Sequence, residues 1–65
     1  MGTLFLTRDW DATLKLHFEK PTLFQGDIWI SHGKKELDFT LFPEVTFENS
    51  PVQVELKLID NGTRR

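Results

Sequence analysis

The side chains that could carry out chemistry are few in this sequence, and their spacing fits no common catalytic or metal site. One residue separates Asp9 from Asp11, so an extended backbone would place both carboxylates on one side, where they could bind a metal or act as acid and base. A calcium loop needs further oxygen ligands and a glycine at its sharp turn, and neither follows. His17 and His32 match no zinc-ligand spacing, and there is no cysteine. We therefore expect a solvated turn at Asp9–Asp11 and no metal or cofactor.

Nucleophilic catalysis is also not indicated. Serine and threonine hydroxyls are present, but no serine lies in a Gly-x-Ser-x-Gly turn. Gly26 and Gly33 are too far apart to form a phosphate-binding loop. A chain of 65 residues has little material with which to enclose a substrate. The sequence therefore predicts a binding protein and not an enzyme.

Charge and composition narrow the class of partner. Eight basic and ten acidic residues give a net charge of −2, which argues against coating nucleic acid through bulk charge but leaves room for a local basic patch. The adjacent basic pairs are Lys34–Lys35 and Arg64–Arg65. No charged leader with an apolar core and no apolar run of about 20 residues is visible. We expect a cytoplasmic location and no membrane contact.

The elements that must position these side chains are strands, because apolar and polar residues alternate along most of the chain. In residues 14–19, Leu14, Leu16 and Phe18 alternate with charged or polar residues, and His17 falls on the face predicted to be exposed. The predicted strands cover residues 4–7, 14–19, 24–30, 37–41, 45–48 and 52–58. The positions predicted to be largely buried are Leu14, Leu16, Phe18, Phe39, Leu41, Val54, Leu56 and Leu58.

Turn residues separate these strands. Proline ends or interrupts the pattern at Pro21, Pro43 and Pro51. Residues 31–34 are predicted to form a hairpin turn with Gly33 at positive φ, residues 8–13 a turn, and residues 19–25 a short helical or irregular insertion. No window has a helical period. The fold class is all-β: one domain, residues 1–65, forms a small meander of about five to six short antiparallel strands, either as an open barrel or as a sheet completed by dimerisation.

Four apolar residues lie out of phase, on the supposedly polar faces of their strands. They are Phe5, Trp29, Phe42 and Ile59. Three explanations remain open: a closed barrel whose strands switch faces, a dimer interface, or a binding surface for another molecule. Because a cysteine-free chain of this size has few other means of stabilisation, we expect a homodimer with some of these residues at the contact.

The N-terminal residues suggest a family. Residues 1–8 read Met-Gly-Thr-Leu-Phe-Leu-Thr-Arg, and after four residues the chain resumes with Thr-Leu-Lys-Leu at 13–16. This pattern resembles the opening of the carbon storage regulator family, also called the Rsm repressors of secondary metabolism. That family begins with an apolar strand ending in Leu-(Thr/Ser)-Arg and resumes with Thr-Leu or a similar pair at the same spacing. The resemblance covers residues 1–16, and the family's last strand, with its essential arginine, has no counterpart.

The resemblance implies an interlocked dimer that binds GGA-bearing RNA loops and represses translation. It would place RNA contacts at Leu6, Thr7 and Arg8, with Arg64 and Arg65 as the basic residues after the last predicted strand. A strand-end arginine could stack on a base or bridge phosphates, but Arg8 could also be a surface residue paired with Asp9 or Asp11. The alternative function is a regulator or inhibitor that binds another protein through sheet edges and exposed aromatic residues.

Overall fold

The computed structural model describes residues 3–55, which form two antiparallel sheets. In chain order, the strands are β1 (Thr3–Arg8), β2 (Leu14–His17), β3 (Thr22–Phe24), β4 (Ile28–Ile30), β5 (Lys34–Leu37) and β6 (Val52–Glu55). The larger sheet has the order β5-β2-β1-β6, and β3 pairs with β4 in a separate hairpin. The prediction of an all-β fold of about six short strands is confirmed, and within residues 3–55 the larger sheet is not closed.

The register of the larger sheet assigns its side chains to two faces, because neighbouring residues of a strand point to opposite sides. Leu6 lies opposite Leu16 and Val52, so all three share the first face. Thr7 lies opposite Lys15, and Phe5 lies opposite His17, on the second face. The first face carries the apolar pattern seen in the sequence.

The hydrophobic core lies against the first face. Leu6, Leu14 and Val45 are its buried centre. Partly buried apolar side chains pack around them: Leu16, Leu37, Val52 and Val54. Val45 belongs to the long connection between β5 and β6, so this connection covers the first face.

The segment after β5 differs from the prediction. The strand predicted for residues 37–41 ends at Leu37, because Asp38 accepts hydrogen bonds from the backbone N–H and the hydroxyl of Thr40, and its carbonyl accepts from Leu41 N–H. The predicted burial of Phe39 and Leu41 is therefore wrong, and Phe39 is 68% exposed. Residues 45–48 do not form the predicted strand, and Phe47 and Glu48 lie in a turn.

The middle of the chain also differs. Residues 24–30 form no continuous strand, because Gln25 and Gly26 adopt positive φ and turn the chain between β3 and β4. Part of the segment predicted to be irregular, residues 19–25, is strand β3. Positive φ is found at Gly26 and not at Gly33. Residues 31–34 connect β4 to β5 and do not form a hairpin turn, since β5 pairs with β2.

The remaining residues of the predicted core are Phe18, Leu56 and Leu58. Phe18 was predicted to be buried but is 56% exposed, because β2 ends one residue earlier at His17. Leu56 and Leu58 lie outside the described residues. Within residues 3–55 there is no helix with the length and hydropathy needed to cross a bilayer.

Candidate binding surface

Arg8, at the end of β1, is buried and binds backbone carbonyls with all its side-chain donors. An arginine side chain has five N–H groups. They donate to the carbonyl oxygens of Val45 (2.9 Å from Nε), Ala12 and Phe39 (3.2 and 2.8 Å from Nη1), and Leu41 and Phe42 (3.1 and 2.9 Å from Nη2). Arg8 therefore holds the loop of residues 39–45 in the curved path that closes over the core.

The interpretation of Arg8 as a surface residue paired with Asp9 or Asp11 is therefore wrong. Its exposed fraction is 9%, and no carboxylate among the described residues lies within ion-pair distance of it. Leu6 and Thr7 are also buried. An RNA contact through these three residues stays a prediction, and in this conformation it would require their side chains to leave their present partners. Arg64 and Arg65 lie outside the described residues.

Asp9 joins the β3–β4 hairpin to the larger sheet. Its Oδ1 accepts a hydrogen bond from Trp29 N–H at 2.9 Å, and its Oδ2 lies 2.9 Å from Lys15 Nζ. Lys15 Nζ also donates to the carbonyl of Trp29 at 3.1 Å. The expectation of a solvated turn is wrong for Asp9, which is buried, whereas Asp11 is exposed.

His17 lies on the second face of the sheet, which was predicted to be exposed, yet it is fully buried. Its Nε2 is 2.8 Å from the Thr7 hydroxyl and its Nδ1 is 2.6 Å from the Ser31 hydroxyl, which donates to Gly33 O. The neutral ring therefore donates from Nδ1 to Ser31 and accepts at Nε2 from Thr7. Burial lowers the pKa of His17, and the nearby Lys15 and Lys34 lower it further.

Together, Asp9 and His17 explain why the middle of the second face, at Thr7, Lys15 and His17, is not solvated. The β4 strand and Ser31 lie over it and are fixed there by hydrogen bonds to Asp9, Lys15 and His17. The structure thus has three layers: the 39–50 connection, the four-stranded sheet, and the hairpin. Phe5, one of the out-of-phase residues, lies half-buried on this second face.

Some of the exposed apolar side chains group into two surfaces. The first, which we call the hairpin face, consists of Phe24, Ile28 and Ile30, which strand pairing and alternation place on one side of the hairpin. These side chains are 37–46% exposed. Thr22 occupies the fourth position of this face, so no charged residue belongs to it.

The second surface, which we call the aromatic cleft, lies between the 9–13 turn and the 39–48 segment. Its volume is about 510 Å³, and its walls include Trp10, Phe39, Pro43 and Phe47. Trp10 is 70% exposed and makes an edge-to-face contact with Phe47 at 5.4 Å between ring centroids. The buried side chains of Arg8 and Asp9 lie at its base.

The four residues predicted to form an interface differ in how exposed they are. Phe42 is 44% exposed and lies in the loop that Arg8 holds. Phe5 and Trp29 are half-buried. Ile59 lies outside the described residues. Sequence reasoning missed Phe39 and the hairpin face, because alternation assigned Phe39 to the core and did not separate β3 from β4.

Comparison with known proteins gives no further assignment. No family model matches the chain, and no curated protein or solved structure matches it. The resemblance to the carbon storage regulator family therefore stays a prediction.

Proposed function

We propose that this chain is a small regulator that acts by binding another protein, and that it does so as a homodimer. The observation that carries the proposal is the amount of apolar side chain left exposed once the core has formed. Within residues 3–55 these residues are Trp10, Phe18, Leu23, Phe24, Ile28, Ile30, Phe39, Leu41 and Phe42. Exposed apolar side chains that lie side by side, as Phe24, Ile28 and Ile30 do, are typical of protein-interaction sites.

The charges of the described residues favour a protein partner over RNA. RNA binding depends on basic side chains that are free to reach phosphates and bases. Arg8 donates all its side-chain hydrogen bonds internally, and Lys15 is paired with Asp9 and only 13% exposed. The chain as a whole carries a net charge of −2. RNA binding is therefore the alternative, and it would depend on exposed residues such as Lys34 and Lys35.

The hairpin face is the contact that we assign to a second copy of the chain. Two copies of an acidic protein repel each other where their acidic residues meet, whereas a face without charged residues can pack on itself. A two-stranded hairpin is also marginally stable alone, so covering its outer side would stabilise it. Phe24, Ile28 and Ile30 supply three adjacent large side chains for such a contact.

Sedimentation velocity at high micromolar concentration tests the homodimer. We expect the wild type to be dimeric and the double variant Ile28→Thr/Ile30→Thr to be a folded monomer. Leu23→Thr is the matched control, because Leu23 is similarly exposed but lies on the opposite side of the hairpin. A fully folded wild-type monomer would exclude this dimer, and dimers retained by the double variant would place the contact elsewhere.

The choice between protein and RNA is tested separately with a hairpin RNA that carries GGA in its loop. We expect no mobility shift at low salt. A shift that disappears at higher salt would replace the protein-binding proposal with RNA regulation, since phosphate contacts weaken steeply as salt increases.

A further inference from the structure

The aromatic cleft differs from the hairpin face in its surroundings. Trp10 and Phe39 are the most exposed large apolar side chains in residues 3–55, at 70% and 68%, and both line the cleft. Their backbone positions are fixed, because Trp10 N–H donates to Asp27 O at 3.0 Å and Phe39 O accepts from Arg8. These two rings are therefore presented to solvent from a rigid support.

Exposed carboxylates line the cleft and a depression next to it. Glu48 lines the cleft itself, and a neighbouring depression of about 440 Å³, which shares Ala12 and Phe39 with it, is lined by Asp11, Glu36 and Asp38. All four carboxylate-bearing residues are exposed. Within residues 3–55, none of them forms an ion pair with a lysine or arginine.

Two of these acids are ionised, and the cation that lines the cleft is hydrogen-bonded internally, so the rim is negative. Hydrogen bonding by Thr13, through its side chain and its backbone N–H, lowers the pKa of Asp11, and the backbone N–H and hydroxyl of Thr40 do the same for Asp38. Both are ionised at neutral pH. The basic residue among the cleft's lining groups is Arg8, whose donors point at carbonyls and not into the cleft.

We infer that the aromatic cleft binds a basic segment of the partner protein, in which an apolar side chain packs on Phe39 and an arginine or lysine lies on Trp10 and among the rim carboxylates. A cation over an indole ring is attracted to it, and exposed carboxylates increase that attraction. This inference rests on the proposed function and adds the chemistry of the partner. A second copy of the acidic chain does not fit here, because the two acidic rims would repel.

The test uses a short peptide of alternating arginine and leucine, acetylated and amidated, with fluorescein attached. Its anisotropy is measured as the full-length protein is added, and the control peptide has glutamate in place of arginine. We expect saturable binding of the arginine peptide, and none of the glutamate peptide. Trp10→Ala should weaken binding by about tenfold, as for an exposed aromatic anchor of an interface, and Trp10→Phe should restore part of it.

A further variant tests the contribution of the rim carboxylates, and a control variant tests whether the effect is specific to the cleft. Glu36→Gln/Glu48→Gln should weaken binding and reduce its dependence on salt, because both carboxylates are exposed and accept no hydrogen bond among the described residues. Leu23→Thr is the matched control, because Leu23 is an exposed apolar residue that lines neither the cleft nor the hairpin face, and it should bind as the wild type does. Equal binding by wild type and Trp10→Ala, or equal binding of both peptides, would overturn the assignment.

Failure of this inference can be distinguished from failure of the proposed function. If the arginine peptide does not bind but the wild type captures a protein in a manner independent of RNA, the proposed function stands and the cleft is not the site. If the peptide does not bind and GGA-bearing RNA does, both proposals are wrong.

Discussion

Replacing Arg8 by methionine should destabilise the fold far more than removing any exposed charge. Methionine keeps the apolar stem but leaves five backbone carbonyls without their donor. Each hydrogen bond from a charged donor contributes about 1.5–3 kcal/mol. The contributions of the five hydrogen bonds are not fully lost, because the carbonyls of the exposed 39–42 loop can bind water once the loop opens. We therefore expect the free energy of unfolding to fall by about 3–5 kcal/mol, the cost of breaking a buried charged network.

That loss is comparable with the whole stability of a domain of this size, which is about 3–5 kcal/mol. Urea denaturation followed by circular dichroism and tryptophan fluorescence measures it. Lys35→Met is the matched control: it removes one positive charge from an exposed position on β5, and we expect a change within about 0.5 kcal/mol. Arg8→Lys keeps the charge but has fewer donors and cannot fork, so it should recover part of the loss.

The Arg8 prediction has a clear refutation. A cost below about 1 kcal/mol is typical of a surface charge, and it would show that the five carbonyl contacts do not organise the loop. If Arg8→Met does not fold at all, amide hydrogen exchange of Arg8→Lys tests whether Arg8 organises the loop. The 39–45 loop should exchange faster in that variant than in the wild type, while β1 and β2 stay protected.

Three other predictions follow from the buried polar groups and the core. Burial holds the pKa of His17 below its ordinary value of 6.5, so the unfolded chain takes up a proton first as pH falls. The free energy of unfolding, measured by urea titration, should therefore decrease from pH ~7 to ~5. This pH dependence should persist in His32→Gln and vanish in His17→Gln. Asp9→Asn should cost about 1.5–3 kcal/mol and speed amide exchange in the β3–β4 hairpin, since Lys15 loses its partner. Leu14→Ala should cost about 2–5 kcal/mol by thermal denaturation, whereas Phe39→Ala should change stability little.

The sequence pattern was most informative where one strand buries one side. Residues 14–17 alternate with period two, and Leu14 and Leu16 do lie on the core face as predicted. Alternation cannot show that a hairpin from elsewhere in the chain will cover the other side. His17 was therefore predicted to be exposed, although its hydroxyl partners and the hairpin bury it.

The candidate surfaces were predicted less well, for two physical reasons. Period-two alternation continues through residues 37–41, but the local hydrogen bonds of the Asp38–Thr40 turn end the strand and expose Phe39. Arg8 looked like a strand-end surface charge, because a sequence does not show how many carbonyls a distant loop will bring to it. Its five acceptors include residues 39, 41, 42 and 45.

The measurement that tests the central claim most directly is capture of the partner from a lysate of the cells that produce this protein. Immobilised wild type and Trp10→Ala are incubated with the lysate after ribonuclease treatment, and the bound proteins are identified by mass spectrometry. We predict that the wild type retains a protein bearing an exposed basic and apolar segment, and that Trp10→Ala does not. Capture seen only in lysate that was not treated with ribonuclease would contradict protein binding, and identical capture by the two proteins would contradict the assignment of the aromatic cleft as the site.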